Sequence, residues 1–242
     1  MKNNFLLSVI VPVYNEKKTF FILTKKLLKL KIKKIKLEII IVESNSTDGT
    51  RDEALKFKNN KNIKLILQSK PNGKGNAVIE GFKHVTGDYV IIQDSDLEYD
   101  PNNFQVMLKP ILNKEAKFVI GSRIKKGILR MRNFKNRRIL SIIFNLLHIV
   151  LTSFFNIVYQ KLILDPWTCY RLFPASLLKK IKFDSQGFEF DTELICKLIR
   201  HGLNPKEVPI NYSSRSFEEG KKINVFRDGA MAIFTILKYR FK

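Results

Sequence analysis

The sequence predicts an α/β fold: a mostly parallel sheet flanked by helices, with a basic amphipathic helical insertion in its second half. Three observations carry this. Short apolar runs of strand length alternate with segments of helical period through the first 122 residues. The polar clusters fall just after those runs. Beyond them the pattern gives way to a basic stretch and then to 22 residues without Lys, Arg, Asp or Glu.

Taken in order, Leu7 to Val13 is a first strand and Glu16 to Leu30 carries apolar residues at helical spacing. Leu37 to Val42 is a second strand, and Asp48-Gly49-Thr50 opens a helix with Asp48 as its expected N-cap. Ile63 to Leu67, Tyr89 to Gln93 and Phe118 to Gly121 are further strands, separated by helices over Gly75 to Val85 and Pro101 to Leu112. Runs this apolar imply strands covered on both faces, as in parallel sheets. Arg123 to Arg138 holds eight Lys or Arg and no acid. Ile139 to Gln160 follows, long enough to span a bilayer, which needs ~20 apolar residues. Within it Ser141, Asn145, His148, Thr152, Asn156 and Gln160 recur as one polar stripe, and Asn145 or Asn156 is a candidate break. A helix in the membrane interface, a helix packed on the sheet and a true span remain open, the polar stripe weighing against the span. A short strand to Phe173, a helix from Pro174, a helix from Gly187-Phe188-Glu189-Phe190-Asp191 to His201, an edge strand over Lys206 to Ile210 and a last helix over Phe226 to Phe241 complete the chain.

Composition bounds the class. With 242 residues and 45% apolar content the chain is long and apolar enough for a proper core, and general disorder is excluded. We expect one domain over 1–242, with a donor-binding half, 1–122, and an acceptor half, 123–242, containing the amphipathic segment 139–164. Two cysteines make no disulfide framework and fit a reducing compartment. The N-terminal run reads as a strand and not as a signal peptide. The net charge of +22 points to a polyanion, whether nucleic acid, an anionic membrane or a phosphorylated substrate. No zinc spacing, RNA-binding aromatic motif or helix-turn-helix signal is present, so nucleic acid is not expected as a partner.

The loops beyond the strands carry the chemistry, since ligands of such sheets bind past the carboxyl ends of the strands. Asp94, Asp96 and Glu98 alternate just after a buried strand, a pattern of oxygen donors suited to Mg²⁺ or Mn²⁺ holding a diphosphate. Glu43 closes the second strand, where it can accept bonds from a base or ribose. Asn72-Gly73-Lys74-Gly75 opens a helix whose free amides, with Lys74, suit a phosphate or else form a simple turn. Gly121-Ser122-Arg123 with Arg137 and Ser141 is a candidate anion site. Arg215, Lys221 and Lys222 surround a Gly220 loop, a candidate flap over a diphosphate. His84, His148 and His201 lack ligand-like spacing and are assigned no chemistry.

In their order these motifs resemble family 2 glycosyltransferases of the GT-A fold, and more narrowly those that use dolichyl or polyprenyl phosphate. The resemblance runs from Ser8-Val9-Ile10-Val11-Pro12-Val13-Tyr14-Asn15-Glu16 through Glu43 to Thr50, Gly73-Lys74-Gly75, Gln93 to Glu98 and Gly121-Ser122-Arg123 to Arg215–Lys222. It implies inverting, metal-dependent transfer from a GDP- or UDP-sugar to a polyprenyl phosphate, or alternatively to a sugar hydroxyl of a growing glycan. It implies nucleotide-sugar contacts from Pro12, Tyr14, Glu16, Glu43, Lys74, Asp94, Ser95, Arg215 and Lys221. Asp94, Asp96 and Glu98 would hold the metal, and Arg123, Arg137 and Ser141 the acceptor phosphate. Asp94, Asp96 and Arg123 are the catalytic expectations. For a hydroxyl acceptor, Glu189 and Asp191 are the candidate bases. Glu43-Ser44 stands where most members have paired aspartates, which leaves the base open. Without the C-terminal spans that some members carry, membrane contact is expected from the basic amphipathic region or an anchoring partner, at the cytoplasmic face of a membrane.

Overall fold

The computed structural model describes residues 5–124, 138–215 and 225–242. Arg137, Lys221, Lys222 and Gly220 lie outside the described residues. Seven strands form one sheet: β1 Phe5–Val13, β2 Ile35–Glu43, β3 Ile63–Leu67, β4 Tyr89–Ile92, β5 Phe118–Ser122, β6 Arg171–Pro174 and β7 Pro205–Pro209. Their order is β3-β2-β1-β4-β6-β5-β7. All neighbours pair in parallel except β6, which runs antiparallel to both β4 and β5. β7 is an edge, as its prolines require.

The chain lays β2 and β3 to one side of β1 and then returns to place β4 on the other, with Ile10 opposite both Ile40 and Ile92. That reversal is a topological switch point, where parallel sheets open a crevice for ligands. The loops after β1 and β4 flank it, and both belong to the polar clusters singled out in the sequence.

Side-chain alternation sends the sheet into two cores. Val9, Val11 and Val13 pack with α1 (Lys17–Lys29) and α4 (Phe104–Leu112) through Phe20, Leu23 and Met107. Ile10, Ile40 and Val42 pack with α3 (Lys74–Phe82), α5 (Arg138–Tyr159), α6 (Phe190–Arg200) and α7 (Val225–Phe241) through Val78, Phe155, Leu194 and Ile236. α2 covers Thr50–Leu55.

Two expectations are corrected. The helix from Pro174 is only a 3-10 turn over Ala175–Lys179, because none of its residues is buried and nothing packs to extend it. The uncharged segment is one continuous helix, α5, with no break. Asn145 is fully buried, and Asn156 instead caps the chain beyond the helix, its amide bonding the Ile163 carbonyl at 2.9 Å and accepting the Ile163 N–H at 3.1 Å.

The polar stripe of α5 faces the protein. Ser141, Asn145, His148 and Thr152 are buried, and Thr152 Oγ1 accepts from Trp167 Nε1 at 2.9 Å. The apolar residues face outward: Ile139 is 77%, Val150 63% and Ile157 76% exposed. By length and composition α5 is able to cross a membrane. Beside it, α7 buries Ala232, Ile236 and Tyr239 and exposes Phe234 and Phe241. Tyr159 donates to the Ile236 carbonyl at 3.3 Å and Arg240 to the Val158 carbonyl at 2.9 Å, joining the two helices.

Candidate active site

At the end of β1, Asn15 sits in the left-handed region with φ 52° and ties its loop to the one after β2. Its N–H donates to Ser46 Oγ at 3.0 Å, and its side-chain oxygen accepts the Thr47 N–H at 2.9 Å. Asp48 does more than the sequence suggests: it accepts the Thr50 N–H at 3.0 Å and also the Lys17 N–H at 3.1 Å, capping the start of α1. Glu43 is fully buried, accepts the Ser46 N–H at 2.6 Å and lies 3.4 Å from Arg51. It shapes the loop from beneath, and its neighbour Ser44 is the side chain on the cavity wall.

The turn after β4 rests on an aromatic pile. Tyr170 donates to Gln93, Tyr99 stacks on Tyr170 with centroids 4.6 Å apart, and the Tyr99 hydroxyl accepts the Cys169 N–H at 3.2 Å. Leu97 is held at φ 64°, a conformation that costs a non-glycine residue about 1–2 kcal/mol and that here turns Asp96 and Glu98 into position.

The carboxylates are matched by cations brought from far along the chain. Lys74 Nζ lies 2.9 Å from Asp94 and 2.9 Å from Asp191, with Cys169 Sγ at 3.3 Å. Arg171 adds a 3.1 Å contact to the other oxygen of Asp191. Burial works to raise the Asp191 carboxyl, but Lys74 and Arg171 beside it hold it below the usual carboxylate range. Burial likewise opposes charge on Lys74, and Asp191 and Asp94 keep the ammonium well above its ordinary value. Arg215 bridges Glu16 at 2.9 Å and Asp96 at 3.0 Å. Even so, burial together with the neighbouring Asp94 and Glu98 charges pushes Asp96 up to about 7. Glu98 commits both oxygens within the protein, to the Tyr212 hydroxyl at 2.7 Å and the Arg215 N–H at 2.8 Å. Among the described residues no three His, Cys, Asp or Glu side chains converge as a ready metal cluster.

The amides expected to cradle a phosphate at the start of α3 are taken. Gly75 N–H donates to the Gly187 carbonyl at 3.2 Å and Asn76 N–H to the Gln186 carbonyl at 3.0 Å. The glycines are there because the chain passes so close: a Cβ on Gly73 would lie 2.4 Å from the Gln186 oxygen, and one on Gly75 2.5 Å from the Ser185 oxygen.

Arg123, at the end of β5, is engaged by Asp165 through Nε at 2.8 Å, Nη2 at 2.7 Å and its own N–H at 2.9 Å, and lies over the Tyr212 ring. Burial opposes ionisation of Asp165, but Arg123 holds its carboxyl down at about 2. Glu207 accepts the Leu164 and Asp165 N–H groups, and His148 lies 3.9 Å from Asp165.

These groups surround one cavity of about 450 Å³. Pro12, Tyr14, Glu16, Lys74, Asp94, Ser95, Asp96, Glu98, Arg123 and Arg215 all line it. Glu43 and Ser141 lie behind its walls, buried. Sequence reasoning passed over Cys169, Trp167, Tyr212 and His148, which carry no spacing signal and reach the wall only through tertiary packing.

A switch-point crevice walled by carboxylates and buried cations is the setting of a sugar-transferring GT-A enzyme, and the sequence profile of glycosyl transferase family 2 matches residues 8–182. The chain belongs to that family. It is 32% identical over 120 residues to the dolichol-phosphate mannosyltransferase of Pyrococcus furiosus, covering 50% of this chain and 34% of that protein. It is 27% identical over 208 residues to the glycosyltransferase AglJ of Haloferax volcanii, covering 84% and 63%. The chain thus spans between about a third and just under two thirds of the length of these curated relatives. Glucosyl-3-phosphoglycerate synthase of Mycobacterium tuberculosis, solved with Mg²⁺ and uridine diphosphate, superposes with a TM-score of 0.70 at 18% identity, over 99% of this chain and 81% of that one. That likeness establishes the GT-A fold.

Proposed function

We propose that this chain transfers a sugar from a GDP- or UDP-sugar to a polyprenyl phosphate, with inversion at the anomeric carbon. The state of Asp191 carries the choice of acceptor. A hydroxyl acceptor needs a general base, and an effective one titrates near the working pH. Asp191 borders the cavity but is held ionised, as a weak base, between Lys74 and Arg171. Glu189 turns back to accept the Gly187 N–H at 2.9 Å. A phosphate monoester, with a second pKa of ~6, is already ionised near neutral pH and needs no base. The dolichol-phosphate mannosyltransferase among the relatives supports the same acceptor.

In this reading residues 1–122 bind the donor and 123–242 the acceptor. Pro12, Tyr14 and Ser44 flank the nucleoside, with Glu43 bracing the loop beneath. Asp94 and Asp96 suit a hard divalent cation, since Mg²⁺ typically takes one or two carboxylates and completes its shell with phosphate and water oxygens. Mg²⁺ or Mn²⁺ bound there supplies charge neutralisation of the leaving diphosphate. Glu98 positions the Arg215 segment through its two hydrogen bonds. Lys74 and Arg215, with Lys221, face the diphosphate, Arg215 exchanging its carboxylate partners for phosphate oxygens. Arg123, with Arg137 and Ser141, orients the acceptor phosphate.

The outward apolar faces of α5 and α7, preceded by the basic stretch from Arg123 to Arg138, support peripheral attachment to the anionic cytoplasmic face of a membrane. The test supplies labelled nucleotide sugars with Mn²⁺ and either polyprenyl phosphate or soluble sugars. Label entering the organic phase only when the lipid phosphate is present is the expected result. Label that reaches a soluble sugar and stays out of the organic phase sinks the lipid reading in favour of a glycan hydroxyl.

A further inference from the structure

On the side of α5 and α7 the cavity changes character. Its walls there include Phe144, Leu147 and Leu151 from α5, Gly229 and Ala232 from α7, and Trp167. Gly229 is the telling residue. It lies inside α7, where glycine is about 1 kcal/mol less favourable than alanine. Its φ is not in the left-handed region. A Cβ built on it meets nothing within 4 Å among the described residues. Neither backbone conformation nor close packing therefore explains the missing side chain, and the space it leaves opens onto the cavity. Three residues further on, Ala232 keeps the same wall low.

The apolar part is continuous with the carboxylate end, and Arg123 stands on the wall they share, linked through Asp165 to His148 of α5. A ligand matched to this layout has an anionic head at Arg123 and an apolar tail between the two helices. Asp228 also lines the cavity and is paired with Arg227 at 3.1 Å.

We propose that the slot between α5 and α7 holds the first isoprenoid units of a lipid phosphate, and that Gly229 sets its bore. This rests on the reading of the acceptor as a polyprenyl phosphate and adds where its chain runs and which residue limits its girth.

Trp167 is the only tryptophan of the chain and lines the cavity, so it reports occupancy directly. The full-length protein is titrated with farnesyl phosphate, with inorganic phosphate and farnesol as controls, while Trp167 emission is followed. Farnesyl phosphate is expected to shift the emission saturably, and inorganic phosphate is not. In Gly229→Leu the half-saturating concentration should rise by about tenfold or more. Its melting temperature should not fall, because the new side chain enters open space, and Gly229→Ala should melt higher while binding like the wild type. No emission change in the wild type overturns the proposal, as does an undiminished change in Gly229→Leu. If Gly229→Leu fails to fold, the wild-type titration against its two controls still decides. If binding behaves as expected but no nucleotide sugar yields a lipid product, the slot stands as a lipid-phosphate site and the acceptor reading fails.

Discussion

Asp94 and Asp96 were legible because two features coincide locally, a buried strand and carboxylates at its end, and both lie within a few residues. Their partners were not. Lys74 meets Asp191 across 117 positions and Arg123 meets Asp165 across 42, distances at which a single sequence carries no pairing signal. Glu43 shows the reverse: its position at a strand end is readable, but its burial beneath Ser46 is decided by how the loop closes. Replacing Asp94 or Asp96 by alanine should lower transfer by about 10²–10³-fold or more, as removal of a preorganised charged group does, with the circular dichroism spectrum unchanged. Activity equal to wild type in both would remove them from the donor site. The Arg123–Asp165 pair makes a second prediction. The folded Asp165 carboxyl, near 2, lies below its unfolded value of ~3.9, so its stabilising contribution is complete above pH ~4 and disappears as pH falls toward 2. For so buried a group this is on the order of 2–3 kcal/mol. Acid denaturation of Asp165→Asn, followed by tryptophan fluorescence, should show a correspondingly weaker loss of stability between those pH values.

Among the elements, α5 departs most from its simplest reading. Its 3.6-residue periodicity was plain in the sequence, yet a helical wheel does not say which stripe faces the protein. Packing on Phe155 and Tyr159, and bonds from the polar stripe to Trp167 and the Leu164 carbonyl, turn the polar side inward and leave isoleucine, leucine and valine outside. Placing charge on that outer face should therefore spare the fold and weaken membrane attachment. Ile143→Glu combined with Val150→Glu is expected to keep the wild-type melting temperature and lose most sedimentation with anionic vesicles. A large drop in melting temperature with unchanged sedimentation would show that the face is part of the core. The start of α3 makes a similar point about elements: its glycines read as a phosphate cradle, but they serve the passage of the 185–187 backbone.

For the whole molecule, the charge of +22 and the exposed faces of α5 and α7 act on the same surface chemistry, one at long range and one at contact. Binding to vesicles rich in anionic lipid should fall steeply as salt is raised and the Debye length shrinks from ~10 Å at 0.1 M to ~3 Å at 1 M, leaving a residual apolar contribution. Binding indifferent to both salt and lipid charge would assign attachment to the apolar faces alone. The sequence by itself determined the α/β class, the order of the strands along the chain and the loops that carry chemistry, because hydrophobic period and strand-end polarity are local properties. Only the tertiary structure decided that β6 runs against its neighbours, that β4 returns beside β1 to open the switch point, that Asp191 is a clamped anion and not a free base, and that α5 turns its polar side inward. Each of these depends on which distant residues share a buried space, and there the energy of packing and of pairing charges outweighs any local preference.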